Sequence, residues 1–409
     1  MRPHKINSIV FVQAASLVVF MLCLILPGVQ LKFGIVEEER LHGVEASTPT
    51  LMPSFSMQGF ADESFQRHFD RWFQDHIGFR GHFIRTDNQL NLSLFSEMSS
   101  NYGSPLVLGS QNTLFEKLYI DDFNQENRIS GAKVDALAEK IARAAKLLNA
   151  RGVPLLIMLS PSKTTVYRED IPRRYIDERV DRSNSNYDLL GSALRKHGVP
   201  FFDGVAFTLQ LKATSPYRVF PKSGTHWSQH TSCLVVEQLT ARLATLLQKQ
   251  LHSPRCNPPE LRQIPEPFDR DLADLSNIWN VSRFFTELPY PPPQQPASEH
   301  PELYQPRLIF IGGSFLWTIF RSFEQSEIYS ERTLLYYFKR AFHFPSGSSN
   351  PISAKQYNWQ QQLPGIDAVV LEINEANIHQ AGGGSIGDII RDLSPPRRRT
   401  RPMKKPPRS

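Results

Sequence analysis

Two hydrophobic rhythms run along the 409-residue chain. Between Ala132 and Ala150 the apolar positions are Val134, Leu137, Ile141, Ala144, Leu147 and Leu148, the period of a helix with one face against a core. Val153–Leu159 is instead a continuous apolar run, the mark of a strand covered on both sides. The alternation continues. It predicts a helix over Tyr187–His197, a strand over Val199–Phe202, a long helix over Ser228–Leu251, and strands over Arg307–Ile311 and Ala368–Ile373. Strands separated by helices imply an α/β domain with a mostly parallel sheet flanked by helices, and right-handed crossovers. Upstream, Ser64–Phe95 carries Phe65, Phe69, Trp72, Phe73, Ile77 and Phe79 at early helical spacing, interrupted by Gly78 and Gly81; its aromatic face is expected to belong to a core. Residues 106–123 predict short strands around a turn, and the proline-rich 288–301 segment a surface loop.

One stretch fits neither rhythm. Ile6–Leu31 is 26 residues without a charge, long enough to cross a bilayer as a helix. Arg2 and Lys5 precede it, and Glu37, Glu38 and Glu39 follow, so the remainder is expected outside the cytoplasm. A cleavable signal peptide is the alternative, but Gly-Val-Gln-Leu-Lys after Pro27 is a poor cleavage site, which favours an uncleaved anchor. The expected organisation is a cytoplasmic stub and anchor (1–31), a polar connector (32–60), a folded domain (61–380) and a disordered basic tail (381–409).

Net charge changes the picture little. From Arg391 to Ser409 eight basic residues face only Asp392, a balance of +7 in a chain whose total is +6, so the rest is near neutral. That argues against a folded domain built to grip nucleic acid. Cys233 and Cys256 are free to form one disulfide if the domain is exported, and no cysteine or histidine spacing suggests a metal.

Three segments carry candidate chemistry. Residues 309–315, Ile-Phe-Ile-Gly-Gly-Ser-Phe, end a buried strand on two glycines that permit a tight turn and lift Ser314 above the sheet edge, where ligands of parallel sheets bind. The alternative is a plain turn. Residues 223–228, Ser-Gly-Thr-His-Trp-Ser, set His226 just before a long helix, where an imidazole can take and return a proton; Trp227 packs the loop or lines a sugar site. Residues 159–167, Leu-Ser-Pro-Ser-Lys-Thr-Thr-Val-Tyr, put Lys163 and Tyr167 at the same edge, as substrate contacts or as a solvated charge and a packing ring. Asn374 follows another strand and lines the edge or forms a turn.

Together these residues resemble the AlgX/AlgJ-type SGNH-hydrolase-like family of polysaccharide O-acetylation proteins. In that family a strand ends in Gly-Asp-Ser-Phe, an earlier Asp-x-His-Trp supplies the histidine and the acid, and a Pro-x-Lys-x-x-x-Tyr-like segment and a membrane-proximal Asp-x-x-x-Phe-Arg pattern come earlier still. Here the last is Asp75-His-Ile-Gly-Phe-Arg80, and the resemblance covers roughly residues 60–378. Two positions depart: the family acid falls on Gly224, and the Asp before the serine on Gly313. Losing the first removes the group that orients the imidazole; Asp203, Glu372 or a backbone carbonyl could take its place, and a Ser-His dyad without an acid is the alternative.

The resemblance implies an SGNH-like fold and an acyl-enzyme mechanism, with His226 as base and Ser314 as nucleophile. It implies no cofactor. It implies a polysaccharide acceptor, an acetyl group supplied through an integral-membrane acyltransferase, and an inner-membrane anchor with the domain in the periplasm. The alternatives are a carbohydrate esterase on the same residues and an inactive glycan-binding scaffold.

Overall fold

The computed structural model describes residues 4–43, 50–98, 105–294, 302–326, 328–352, 357–381 and 384–395. They form two compact units.

The first unit comprises Met1–Lys117, Lys222–Gly224 and Arg270–Phe285. It begins with α1 (His4–Phe33), whose stretch Val10–Phe33 is long and apolar enough to cross a membrane and leaves its apolar residues from Val10 to Leu26 exposed. α2 (Ser64–His76) and α3 (Arg80–Phe95) follow, broken at Ile77–Phe79. Gly81, expected to interrupt the helix, lies inside α3. No residue of α2 is buried, so its aromatic face is not the core element expected of it. The core of this unit is small: Leu92, Leu106, Leu114, Leu272, Ala273, Ile278 and Phe284. An antiparallel pair, β1 (Leu106–Leu108) and β2 (Leu114–Glu116), confirms the turn expected near 106–123.

The second unit comprises Leu118–Pro221, Thr225–Asp269 and Thr286–Ser409. In chain order it contains α4 (Gly131–Asn149), β3 (Leu155–Ser160), α5 (Asn186–Lys196), β4 (Phe201–Asp203), α6 (Gly204–Thr214), α7 (Gln229–Leu247), β5 (Glu260–Arg262), β6 (Leu288–Tyr290), β7 (Arg307–Gly312), α8 (Phe315–Ser326), β8 (Glu331–Tyr336), β9 (Arg340–Phe344), β10 (Ser349–Pro351), β11 (Ala368–Asn374) and α9 (Ser385–Leu393). The main sheet runs β10-β9-β8-β7-β11-β3-β4. The five strands from β8 to β4 are parallel, and β9 and β10 add an antiparallel edge.

Local chemistry accounts for the helices. Ser130 caps α4, and a Ser185–Asp188 capping box starts α5. Along β7, Ile309 and Ile311 join one large cluster with Val134, Ile141, Ile157 and Leu371. Phe310 points to the opposite face, where its ring lies 5.1 Å from Phe320 and 5.4 Å from Phe323 of α8. The sheet is thus covered on both sides, which is why β3, β7 and β11 read as continuous apolar runs.

Three expected boundaries move. The single domain from residue 61 is divided, with Ala61–Lys117 in the first unit. The tail expected from residue 381 begins with a helix: Ile386, Ile389 and Leu393 of α9 are buried in the main cluster, an amphipathic spacing hidden behind the glycines before it. Residues 396–409 lie outside the described residues. In the 288–301 segment, β6 is buried and pairs with β5, a two-stranded ladder that tolerates Pro289, while residues 295–301 lie outside the described residues.

Candidate active site

β7 ends at Gly312, Gly313 and Ser314 follow, and α8 begins at Phe315, so Ser314 stands at the carboxyl edge of the parallel sheet and directly before a 12-residue helix. Helix N-termini favour developing negative charge through their free N–H groups and aligned dipoles. The glycines do not serve through a left-handed backbone, since neither has positive φ. They make room. A Cβ at Gly312 would stand 2.5 Å from Oε2 of Glu372 on the neighbouring strand, and one at Gly313 would stand 3.0 Å from the Tyr337 ring. The space is filled by a carboxylate: Gly313 N–H donates to Glu372 Oε2 at 2.8 Å, and the Ser160 hydroxyl donates to Oε1.

Glu372 is fully enclosed, and burial pushes its carboxyl above its ordinary 4.5. The Gly313 N–H, the Ser160 hydroxyl and the charge of His226 each pull it back down. The last of these places His226 within electrostatic reach of the carboxyl.

His226 is 7% exposed. Its ring meets Phe315, the residue after Ser314, edge to face at 4.9 Å. Trp227 meets the same Phe315 ring at 5.2 Å, with an interplanar angle of 90°. Trp227 is wholly buried, and its Nε1–H donates to Thr318 Oγ1 at 2.6 Å. The sugar-lining reading of Trp227 is therefore replaced by an anchoring one: a large ring with a polar edge is stable inside when that edge has a partner. The effect is to fasten the histidine segment to the first turn of the helix that Ser314 precedes.

Two further bonds hold the segment. Val219 N–H donates to the Tyr167 hydroxyl at 3.1 Å, and Ser228 N–H donates to the Val219 carbonyl at 2.9 Å. Arg218 lies 4.0 Å above the Tyr167 ring and pairs with Asp170 at 3.2 Å. Tyr167 is buried and acts on the loop. Ser228 caps α7 by accepting from Thr231 N–H. Near the start of α7, Cys233 is bonded to Cys256, with a Cα–Cα distance of 5.7 Å.

The remaining sequence candidates make other contacts. Asp203 accepts from the Tyr187 hydroxyl at 2.9 Å and from Ala206 N–H at 3.0 Å, capping α6. Its carboxylate is thereby committed to Tyr187 and the helix end. Lys163 is only 2% exposed, contrary to a solvated charge, and is partnered within the fold, as burial of an ammonium requires. Asn374 donates to Ser160 Oγ at 3.2 Å and to the Pro161 carbonyl at 3.0 Å, and its Oδ1 accepts from Ala376 N–H, which makes it a turn-former. Phe315 and Thr318 were not singled out from sequence. Phe315 had its place in the Gly-Gly-Ser-Phe motif as a signal, and Thr318 only its position four residues after the serine. Among the described residues no group of histidine, cysteine and carboxylate side chains is disposed to hold a metal.

Residues 107–303 match the family model described as an SGNH hydrolase-like domain, acetyltransferase AlgX. The matched segment contains Lys163, Tyr167, Asp203 and His226 and ends before Ser314. No curated protein sequence matches the chain. Among solved structures, the chain is similar to the O-acetyltransferase domain of Pseudomonas putida AlgJ, with 17% identity, coverage of 70% of this chain and 98% of that one, and a TM-score of 0.44. It is similar to Pseudomonas aeruginosa AlgX at 13% identity, covering 68% and 67%, with a TM-score of 0.39. It is similar to Bacillus cereus PatB1 at 11% identity, covering 61% and 91%, with a TM-score of 0.37. Over residues 107–303, just under half of its length, the chain is similar to the AlgX-type SGNH-hydrolase-like family.

Proposed function

We propose that this protein is a membrane-anchored, extracytoplasmic polysaccharide O-acetyltransferase in which Ser314 is the nucleophile, His226 the base and Glu372 the orienting acid. The observation that carries the reading is the position of Glu372, which accepts from the backbone of the Ser314 turn and lies within electrostatic reach of His226. It takes the part that Gly224 cannot play, and it replaces Asp203 in that part.

The reaction runs in two halves. His226 takes the Ser314 hydroxyl proton as the oxygen attacks the acetyl carbonyl of the donor. The tetrahedral oxyanion forms at the N-terminus of α8, and the leaving group departs with the proton returned by the imidazolium. A sugar hydroxyl then gives its proton to His226 and attacks the acetyl-serine, and Ser314 leaves with that proton. An ionised Glu372 stabilises the imidazolium in both halves. With water as acceptor the same steps give an esterase. Acetyl reaches this side of a membrane only if it is handed across, so an integral-membrane acyltransferase is the expected donor partner. The anchor at α1, the basic residues before it and the disulfide support an extracytoplasmic location.

Transfer of labelled acetyl to cell-envelope polysaccharide tests the reading. Ser314→Ala and His226→Ala should abolish it, with free acetate measured alongside to separate transfer from hydrolysis. Gly224 at the family acid position favours a second reading, an inactive glycan-binding scaffold. Under it the Ser314→Ala protein would support full acetylation.

A further inference from the structure

The first unit carries a surface that the acetyl-transfer chemistry does not use. Helix α2 is strongly two-faced: Phe65, Phe69, Trp72 and Phe73 share one side, and Arg67, Asp70, Arg71 and Gln74 the other. The rings form a continuous ladder, with centroids 5.9 Å apart for Phe65–Phe69, 5.5 Å for Phe69–Trp72 and 6.4 Å for Phe69–Phe73. Yet no residue of the helix is buried, and Phe73 is 45% exposed. Helix α3 repeats the pattern. It buries Ile84, Asn88 and Leu92 and turns Phe83, Leu90 and Leu94 outward, exposed by 52%, 52% and 69%. Phe65, Phe69 and Trp72 are half-buried, so the two helices together leave a ring edge, Phe73, Phe83, Leu90 and Leu94 in water, and large exposed apolar surface marks an interaction site.

What covers this face follows from where the unit holds it. The break between α2 and α3 packs on the last turns of α1. Gly78 is buried there so tightly that a Cβ would stand 2.4 Å from the Pro27 carbonyl and 2.6 Å from Gln30 Cβ. Phe79 N–H donates to Glu38 Oε1 at 2.5 Å, which fixes the same turn to the chain leaving α1. Pro27 lies six residues before the end of α1, or about 9 Å along the helix. If α1 spans a bilayer, that contact lies at the boundary between acyl chains and headgroups, and interfacial helices ride about 5–10 Å into that boundary. Phe and Trp on one face with Arg on the other is the composition such helices use.

We infer that α2 and the outward face of α3 lie in the outer-leaflet interface of the bilayer that α1 crosses, so that the first unit is held by lipid along a surface as well as by its anchor. The occupant is lipid, with the ring ladder toward the acyl chains and Arg67 and Arg71 toward headgroups and water. The inference rests on the anchor reading of α1, and the experiment separates the two.

The full chain is reconstituted in vesicles of phosphatidylethanolamine and phosphatidylglycerol. Spin labels are placed at Phe73→Cys, Leu90→Cys and Arg71→Cys in a Cys23→Ser background, and at native Cys23 in the unaltered chain. Collision with oxygen reports lipid, and collision with a water-soluble nickel chelate reports solvent. Labels at 73 and 90 should collide several-fold more with oxygen than with nickel, and the label at 71 the reverse. Gly78→Val, which cannot fit against Pro27, should raise the nickel collision rate at 73. Labels at 73 and 90 as open to nickel as 71 would overturn the inference, and labels shielded from both reagents would overturn it in favour of a protein partner. If Cys23 itself meets nickel, the anchor reading fails as well. If Cys23 is lipid-bound while 73 is wet, only the present inference fails.

Discussion

The Trp227 indole donates its N–H to Thr318 Oγ1 at 2.6 Å, across 91 residues of chain, and so fixes the residue beside His226 to the first turn of the helix beside Ser314. Replacing Thr318 by Val keeps the shape and leaves a buried indole N–H without its acceptor. That should cost about 1–3 kcal/mol of stability, read as a lower melting temperature. It should also reduce acetyl transfer more than donor binding, because the imidazole segment loses its register against Ser314.

Glu372→Gln separates charge from shape. The amide keeps the volume but cannot stabilise an imidazolium, and a loss of about two orders of magnitude or more in turnover is expected. The pH dependence has a fixed sign. Burial raises the folded-state pKa of Glu372 above its ordinary 4.5, so its contribution to stability is full below that value and is lost as pH rises through the folded pKa. The melting temperature of the variant should therefore gain on the native protein as pH rises from about 4.5. Native activity should move the other way, falling as pH drops through the same raised pKa.

Asp203→Asn tests the other carboxylate that the sequence offered in place of the missing acid. Its carboxylate binds Tyr187 and caps α6. Acetyl transfer should stay within a few-fold of native, with a modest loss of thermal stability of at most about 1 kcal/mol, since Asn remains a good cap. A loss of turnover as large as that of the Glu372 variant would reassign the orienting role.

The paired change Cys233→Ser and Cys256→Ser opens a link between residues 23 apart. Such a loop contributes about 3 kcal/mol, so the melting temperature should fall by several degrees. Reduction of the native protein should lower it similarly and leave the double variant unmoved.

How far the sequence carried depended on the kind of information needed. β3, β7 and β11 were legible because a doubly covered parallel strand must be apolar throughout, and Ser228 announced the start of α7 by its capping chemistry. Strands β8, β9 and β10 were missed, since Arg332, Tyr336, Arg340 and His343 break the apolar run on the antiparallel side of the sheet. Lys163 was misjudged by its residue type, because burial of a charge depends on partners distant in the chain. Glu372 could be named as one of several substitutes for the missing acid but not chosen. Its bond to the Gly313 N–H arises from the neighbouring positions of β7 and β11, which no local pattern contains. The glycines were noticed for the turn they permit, but what they accommodate was hidden: the Glu372 carboxylate beside Gly312 and the Tyr337 ring beside Gly313.

The central claim is that Ser314 carries the acetyl group. Brief incubation of the full-length protein with p-nitrophenyl acetate, acid quenching and peptide mass spectrometry tests it directly. The account predicts one acetyl group on the peptide containing Ser314, absent from Ser314→Ala and strongly reduced in His226→Ala. An unmodified Ser314 in a protein that still transfers acetyl to polysaccharide, or equal labelling of the Ser314→Ala protein, would contradict it.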